Sequence, residues 1–180
     1  MKSLEGTLLV ASPYLHDSPF TRSVIFMVQH DEEGALGVVL NRPAGPAVAE
    51  SLRQSGLDPD DGRVQVNVGG PVMNSVVALQ QQPTGVRACS EPDACEAAIR
   101  RAAHGGGGSR VRIYIGHAGW SPGQLETELS LGFWMTASAT CDHVFGDDED
   151  LWVTTVREIG RSVLRDSLGI RSVPSEVGIN

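Results

Sequence analysis

The stretch RVRIYIGHAGWSPGQLETELSLGFWMTAS, Arg110 to Ser138, holds a strand pattern, a tight turn, a helix pattern and a second strand pattern. In RVRIYIG (Arg110 to Gly116), Val111, Ile113 and Ile115 share one face, the period-2 signature of a strand. GWSPG (Gly119 to Gly123) then spells the G-x-S-x-G of a nucleophile elbow, in which a serine stands on a sharp turn between strand and helix. The residue after that serine is Pro122, which has no N–H to give an oxyanion hole. Downstream stands His143 with Asp142 as its immediate neighbour, and Glu126 and Glu128 lie on the next helix, so no convincing Ser, acid, His order follows. A helix start accounts for the same letters: Ser121 as N-cap, Pro122 at the first helical position, and Gln124 reaching back as in a capping box. Glu126 and Glu128 favour the positive end of that helix, which runs to Leu131, and FWMTAS reads as a strand after Gly132.

Working outward, EGTLLVASP (Glu5 to Pro13) is a short strand stopped by Pro13. TRSVIFMVQ (Thr21 to Gln29) and ALGVVLN (Ala35 to Asn41) form a predicted hairpin across HDEEG, with Pro43 closing the second arm. AVAESLRQSGL (Ala47 to Leu57) has a short helical pattern with a stop at Gly56. RVQVNV (Arg63 to Val68) breaks at Gly69-Gly70-Pro71 and resumes as SVVALQ (Ser75 to Gln80), which reads as a second pair of strands. SEPDACEAAIRRAAH predicts a helix with Ser90 as N-cap and Pro92 in its first turn, ending at the glycine run Gly105 to Gly108. After GDDED, LWVTTVREIGRSVL sets Leu151, Trp152, Val156, Ile159 and Val163 near helical spacing. Hairpin-length connections in the first half and alternation in the second give α+β, with a mixed, largely antiparallel sheet flanked by helices. A single compact domain is expected over residues 1–171, with 172–180 a loosely held tail.

The chain has 180 residues, enough to bury a core without disulfide staples. Cys89, Cys95 and Cys141 show no C-x-x-C spacing and are expected as reduced thiols. The apolar run LLVA is too short for a signal-peptide core and no span is long enough to cross a bilayer, so the expectation is a cytoplasmic protein without a membrane partner. The net charge of −8 disfavours nucleic acid as a partner, because phosphate binding rests on Lys and Arg. Arg100, Arg101, Arg110 and Arg112 cluster in sequence but read as solvated surface charge.

GHAGWSPGQLETELSLGFW resembles the signature of the YqgE/AlgH family of small bacterial proteins, close to Y-A-G-W-G-P-G-Q-L-E-x-E-x-x-x-G-x-W. Gly6 to Pro43 resembles the family's opening block, NVGGPV (Asn67 to Val72) its central turn, and VFGDDEDLW (Val144 to Trp152) its C-terminal block. Two departures stand out: His117 where Tyr is common, and Ser121 where Gly is common. The resemblance implies an α+β fold with a mixed sheet and little about activity, since the family is known mainly as uncharacterised, some members carrying a transcriptional-regulator label. A serine in a place usually held by glycine further disfavours Ser121 as a nucleophile.

Other chemistry thins on inspection. The glycine run follows a helix and precedes a strand, the reverse of a phosphate loop. Cys141-Asp142-His143 places three donors together without the further spaced ligands of a zinc site, so no metal or cofactor is expected. His16-Asp17 and His30-Asp31 read as turn residues with surface or Asx-type roles. Trp120, Trp134 and Trp152 read as core. The residues nominated for a ligand or partner site are Asn41 and Arg42 before Pro43, and His117 before the capped helix. The reading is a binding or adaptor protein, not an enzyme, with an unknown protein or small-molecule partner. A transcriptional regulator and a small hydrolase using Ser121 are its alternatives.

Overall fold

In the computed structural model, residues 2–54, 64–103 and 110–168 are described. Gly56, the glycine run and the tail 172–180 lie outside them. Among the described residues eight strands form one sheet: β1 (Thr7–Ala11), β2 (Val24–Asp31), β3 (Gly34–Val39), β4 (Val64–Val68), β5 (Val72–Gln82), β6 (Gly85–Cys89), β7 (Val111–Trp120) and β8 (Trp134–Ser138). Five helices are present among the described residues: α1 (Pro46–Gln54), α2 (Pro92–Ala103), α3 (Gln124–Ser130), α4 (Cys141–Phe145) and α5 (Leu151–Leu168). The sheet order is β6-β5-β7-β3-β2-β1-β8, antiparallel throughout, with β4 added parallel to β7. The expected α+β class with a mixed, largely antiparallel sheet in one compact domain is the observed one.

β7 joins two half-sheets. Its first half pairs with β5 on one side and β4 on the other, and its last residues pair with β3, Ala118 opposite Gly37 and Trp120 opposite Ala35. The predicted pairing of RVQVNV with SVVALQ is therefore corrected: β4 and β5 flank β7 and do not pair with each other. The strand predicted to end at Gly116 continues to Trp120, because Gly116 at φ 75 inserts an irregularity instead of a stop. A Cβ on Gly116 would meet the carbonyl oxygen of Gly70 at 2.8 Å. β6 and α4 are elements the sequence patterns did not announce.

The irregularity at Gly116 also keeps faces in step. Tyr114 points to the front face, and Ile113 and Ile115 to the back; beyond Gly116 the parity changes, so Ala118 and Trp120 also point back. On the front, one cluster runs across both half-sheets, from Leu8, Val24 and Val38 to Leu79 and Tyr114, covered by Val144 and Phe145 of α4 and Leu151, Val156 and Ile159 of α5. The back is divided: Leu125 of α3 packs with Ile25, Val39, Trp120 and Trp134, while Cys95 and Ala98 of α2 pack with Val66, Ala78 and Ile113. Each such buried aliphatic side chain stabilises the fold by about 1.5–3 kcal/mol relative to exposure.

Arg112 is a second correction. It is buried on the front face, not solvated: Nη1 donates to Asp148 Oδ1 at 2.5 Å, Nη2 donates to the Gly146 carbonyl at 2.9 Å and to Gln65 Oε1. Asn67 donates to the other oxygen of Asp148 and to the Leu40 carbonyl, both at 2.7 Å, so the GDDED segment is tied to the sheet it crosses. Arg110 donates to the Phe145 carbonyl at 2.9 Å, Arg100 pairs with Glu96, and the side chain of Arg101 lies outside the described residues.

Candidate functional site

The corner after β7 accounts for the GWSPG letters. The α3 helix starts at Gln124, with Gly123 at φ 75 in the N-cap place expected for Ser121. Pro122 and Gly123 form a turn that the Gln124 N–H closes onto the Ser121 carbonyl at 3.0 Å. The reach-back bond is present, since the Ser121 N–H donates to Gln124 Oε1 at 3.1 Å. The same amide donates from Nε2 to Glu128 Oε1 at 2.9 Å, and Glu128 Oε2 accepts both indole N–H groups, Trp120 at 2.8 Å and Trp134 at 2.7 Å. Phe20 completes an aromatic cluster with both rings, at centroid distances of 6.4 and 5.8 Å.

At the far end Gly132, φ 74, donates to the Leu129 carbonyl and Phe133 to that of Glu128, the paired bonds of a Schellman stop. Glu126 accepts from His30 Nε2 at 2.8 Å, while His30 Nδ1 accepts the Leu4 N–H at 3.0 Å, which fixes the proton of the neutral ring on Nε2. His30 is thus a buried strand residue rather than the surface turn residue expected; Asp31 does make the Asx-type bond, accepting the Glu33 N–H at 2.8 Å. His143 is occupied at both nitrogens, by Thr140 and by Glu158. It caps α4 and makes no hydrogen bond to Ser121.

The nominated site residues separate. Asn41 Oδ1 accepts the Val24 N–H at 3.0 Å and Nδ2 donates to the Arg22 carbonyl at 2.8 Å. Arg42 donates to the Pro19 carbonyl and to Ser23 Oγ, so this pair fastens the segment leading into β2. His117 makes no hydrogen bond to either. Its Nδ1 lies 2.6 Å from Ser75 Oγ, on β5.

Ser75 also lines a groove of about 890 Å³ on the back of the sheet, between β5 and α2. Met73, Ser75 and Val76 line one wall, Pro92, Cys95 and Ile99 the other, and Ile115 the floor. Met73 and Val76 are 58% and 43% exposed, large apolar side chains left open beside a helix that covers the rest of this half-sheet. Local geometry produces the opening. Continuing the ladder from the Val76 and Ile115 pair would set Asn74 opposite His117, but Val72 stands there, so the β5 backbone bulges over Met73 to Ser75. Gly70 makes the approach possible: a Cβ there would lie 2.2 Å from the His117 carbonyl carbon.

Electrostatics distinguish the groups around the groove. Burial holds the His117 imidazole below its ordinary pKa of 6.5, so it is neutral at pH 7. Burial pushes the Cys95 thiol up, and its Sγ donates to the Cys89 carbonyl at 2.8 Å. Glu96 and Arg100 at the rim pair with each other at 2.5 Å. No single sequence signal marked this groove, because Ser75 and His117 stand 42 positions apart.

The sequence profile of the AlgH-like family matches residues 8–164. The chain belongs to the YqgE/AlgH family. A UPF0301 protein from Shewanella denitrificans is 37% identical over 171 residues, covering 89% of this chain and 93% of that relative. A UPF0301 protein from Xanthomonas oryzae is 36% identical over 180 residues, covering 90% and 92%. The solution structure of the AlgH protein from Pseudomonas aeruginosa superposes with a TM-score of 0.65 at 27% identity, over 98% of this chain and 100% of that one. A crystal structure from Corynebacterium diphtheriae gives 0.69 at 26% identity, over 88% of each chain. In this member of the YqgE/AlgH family the signature residues Trp120, Gln124, Leu125, Glu126, Glu128, Gly132 and Trp134 are taken up by the corner, which makes the signature a structural lock.

Proposed function

We propose that this protein is a binding protein of the cytoplasm whose ligand, a small molecule with an apolar body and a polar end, lies in the groove between β5 and α2. The observation that carries the reading is the exposure of Met73 and Val76 along a concave surface of about 890 Å³. Ligand sites of about 300–1,000 Å³ with apolar walls and few polar groups are the common form. Ser75, Ser90, Glu96 and Arg100 supply the polar groups here. Among the described residues no helix is long and apolar enough to cross a membrane, and the net charge of −8 gives the regulator reading no support.

The test is a thermal-shift panel of medium-chain acids, acyl esters, aromatic acids, nucleotides and short duplex DNA. A groove ligand at about 100 times its Kd adds about 2.7 kcal/mol, a rise of roughly 5–10 °C for a chain of this size. The rise is expected with apolar-bodied ligands and is lost in Val76→Lys. A panel that shifts only with DNA, or a shift that survives Val76→Lys, rejects the groove as the site.

A further inference from the structure

The contact between Ser75 and His117 does more than close a bulge. We propose that Ser75 is a nucleophile activated by His117, and that the groove presents to it esters of apolar acyl groups. This deepens the binding reading and rests on it for the class of substrate.

The arrangement begins with the bulge. It turns Ser75 toward His117 instead of leaving Asn74 opposite the imidazole, and Oγ comes to 2.6 Å from Nδ1, within the reach of a general base. The Gly70 backbone packs against the main chain of His117 and fixes that strand position beside β5. With the ring neutral, a proton on Nε2 leaves Nδ1 free to accept from the hydroxyl. Beside Ser75, the groove offers apolar walls from Met73, Val76 and Ile115 for an acyl chain. The charged groups on the facing helix, Glu96 and Arg100, neutralise each other. Cys95, the thiol in the groove, is 4% exposed with its pKa raised, and of the two groove serines Ser75 is the one beside a histidine, so its hydroxyl is the reactive group.

The chemistry balances with ester and water alone. Ser75 Oγ bonds to the acyl carbon while its proton passes to Nδ1 of His117. The ester C–O bond then breaks and the departing alkoxide takes that proton. Water, deprotonated by the same nitrogen, attacks the acyl carbon, and the carboxylic acid leaves as the Ser75 hydroxyl is restored.

The experiment treats the full chain with an alkyl fluorophosphonate and locates the adduct by peptide mass spectrometry. Ser75 is expected to be labelled and Ser121 not, at a rate that rises with pH through a midpoint below 6.5. His117→Phe is expected to slow labelling about 100-fold, the order contributed by a general base. His117→Gln guards against a packing defect in the Phe variant, and the native pH profile decides if both melt early. An adduct absent from Ser75, a rate unchanged in a folded His117 variant, or a flat pH profile overturns the proposal. Methyl and octyl probes separate the two readings. Faster octyl labelling that Val76→Lys abolishes supports the acyl groove, whereas equal rates leave Ser75 activated and overturn the substrate class.

Discussion

The corner built on α3 and the groove beside α2 lie on the same back face of the sheet, and they treat their polar groups in opposite ways. In the corner, both oxygens of Glu128, both ends of the Gln124 amide and both nitrogens of His30 are engaged, and Trp120 and Trp134 are 6% and 5% exposed. In the groove, Met73 and Val76 are open to solvent, and Ser75 on its wall meets the neutral imidazole of His117. A recognisable motif with its polar groups spent on one another is built for shape; apolar surface beside a hydroxyl held only by one imidazole is built for meeting something. The corner part of the family signature therefore names the fold, and the chemistry is to be sought where its first residues, His117 among them, meet β5.

The strongest challenge to this contrast is Glu128→Ala. It strips two buried indole N–H groups of their shared acceptor, at about 1–3 kcal/mol for each unsatisfied donor. The melting midpoint is expected to fall by roughly 4–24 °C, at about 2–4 °C per kcal/mol for a chain of this size. A fall under about 2 °C would mean the corner is no lock. Next comes Gly116→Ala, which places a side chain at φ 75 and 2.8 Å from the Gly70 oxygen. Strain of about 1–3 kcal/mol is expected, together with weaker fluorophosphonate labelling of Ser75, because the bulge that aims it is disturbed.

Acid separates the two regions by pH window. The folded pKa of His117 lies below 6.5, so below about pH 6.5 the unfolded chain binds a proton that the folded chain does not, and stability falls as pH drops through that window. Glu126 is held below 4.5 by the hydrogen bond from its own backbone N–H and then by His30, so its contribution is present above about pH 4.5 and is lost further into acid. Melting curves from pH 8 to pH 3 are expected to flatten just below pH 6.5 in His117→Gln and below pH 4.5 in Glu126→Gln. The smallest effect is Met73→Asp, which at 58% exposure changes stability by about 0.5 kcal/mol or less while abolishing ligand-dependent shifts. If instead this variant unfolds the chain, Met73 belongs to the core and the contrast collapses.

What the sequence disclosed follows the range of the interactions involved. The hairpin of β2 and β3, the start of α2 at Pro92 and the stop of α3 at Gly132 rest on local signals and were legible. β6, with the short run GVRAC, carries too little β-branched alternation to register, and α4 is five residues long. Arg112 alternates like a surface residue, and its partner Asp148 stands 36 positions away. His117 was singled out by its place before the α3 turn, but Ser75 was not, since the bulge joining them depends on how β5 lies against β7. Asn41 and Arg42 have the composition of a site and the hydrogen bonds of a clasp.

β7 holds three neighbours made well before it: β3, β4 and β5 all leave the ribosome ahead of residue 111. Until β7 arrives, β3 and β5 each present an open edge and β4 lacks its partner strand, so the nascent chain carries unpaired apolar edges. Chain closure over such separations makes folding slow, on the order of milliseconds to seconds. The late strand acts as the keystone of assembly, and the interval before it is set is when this protein is most exposed to aggregation.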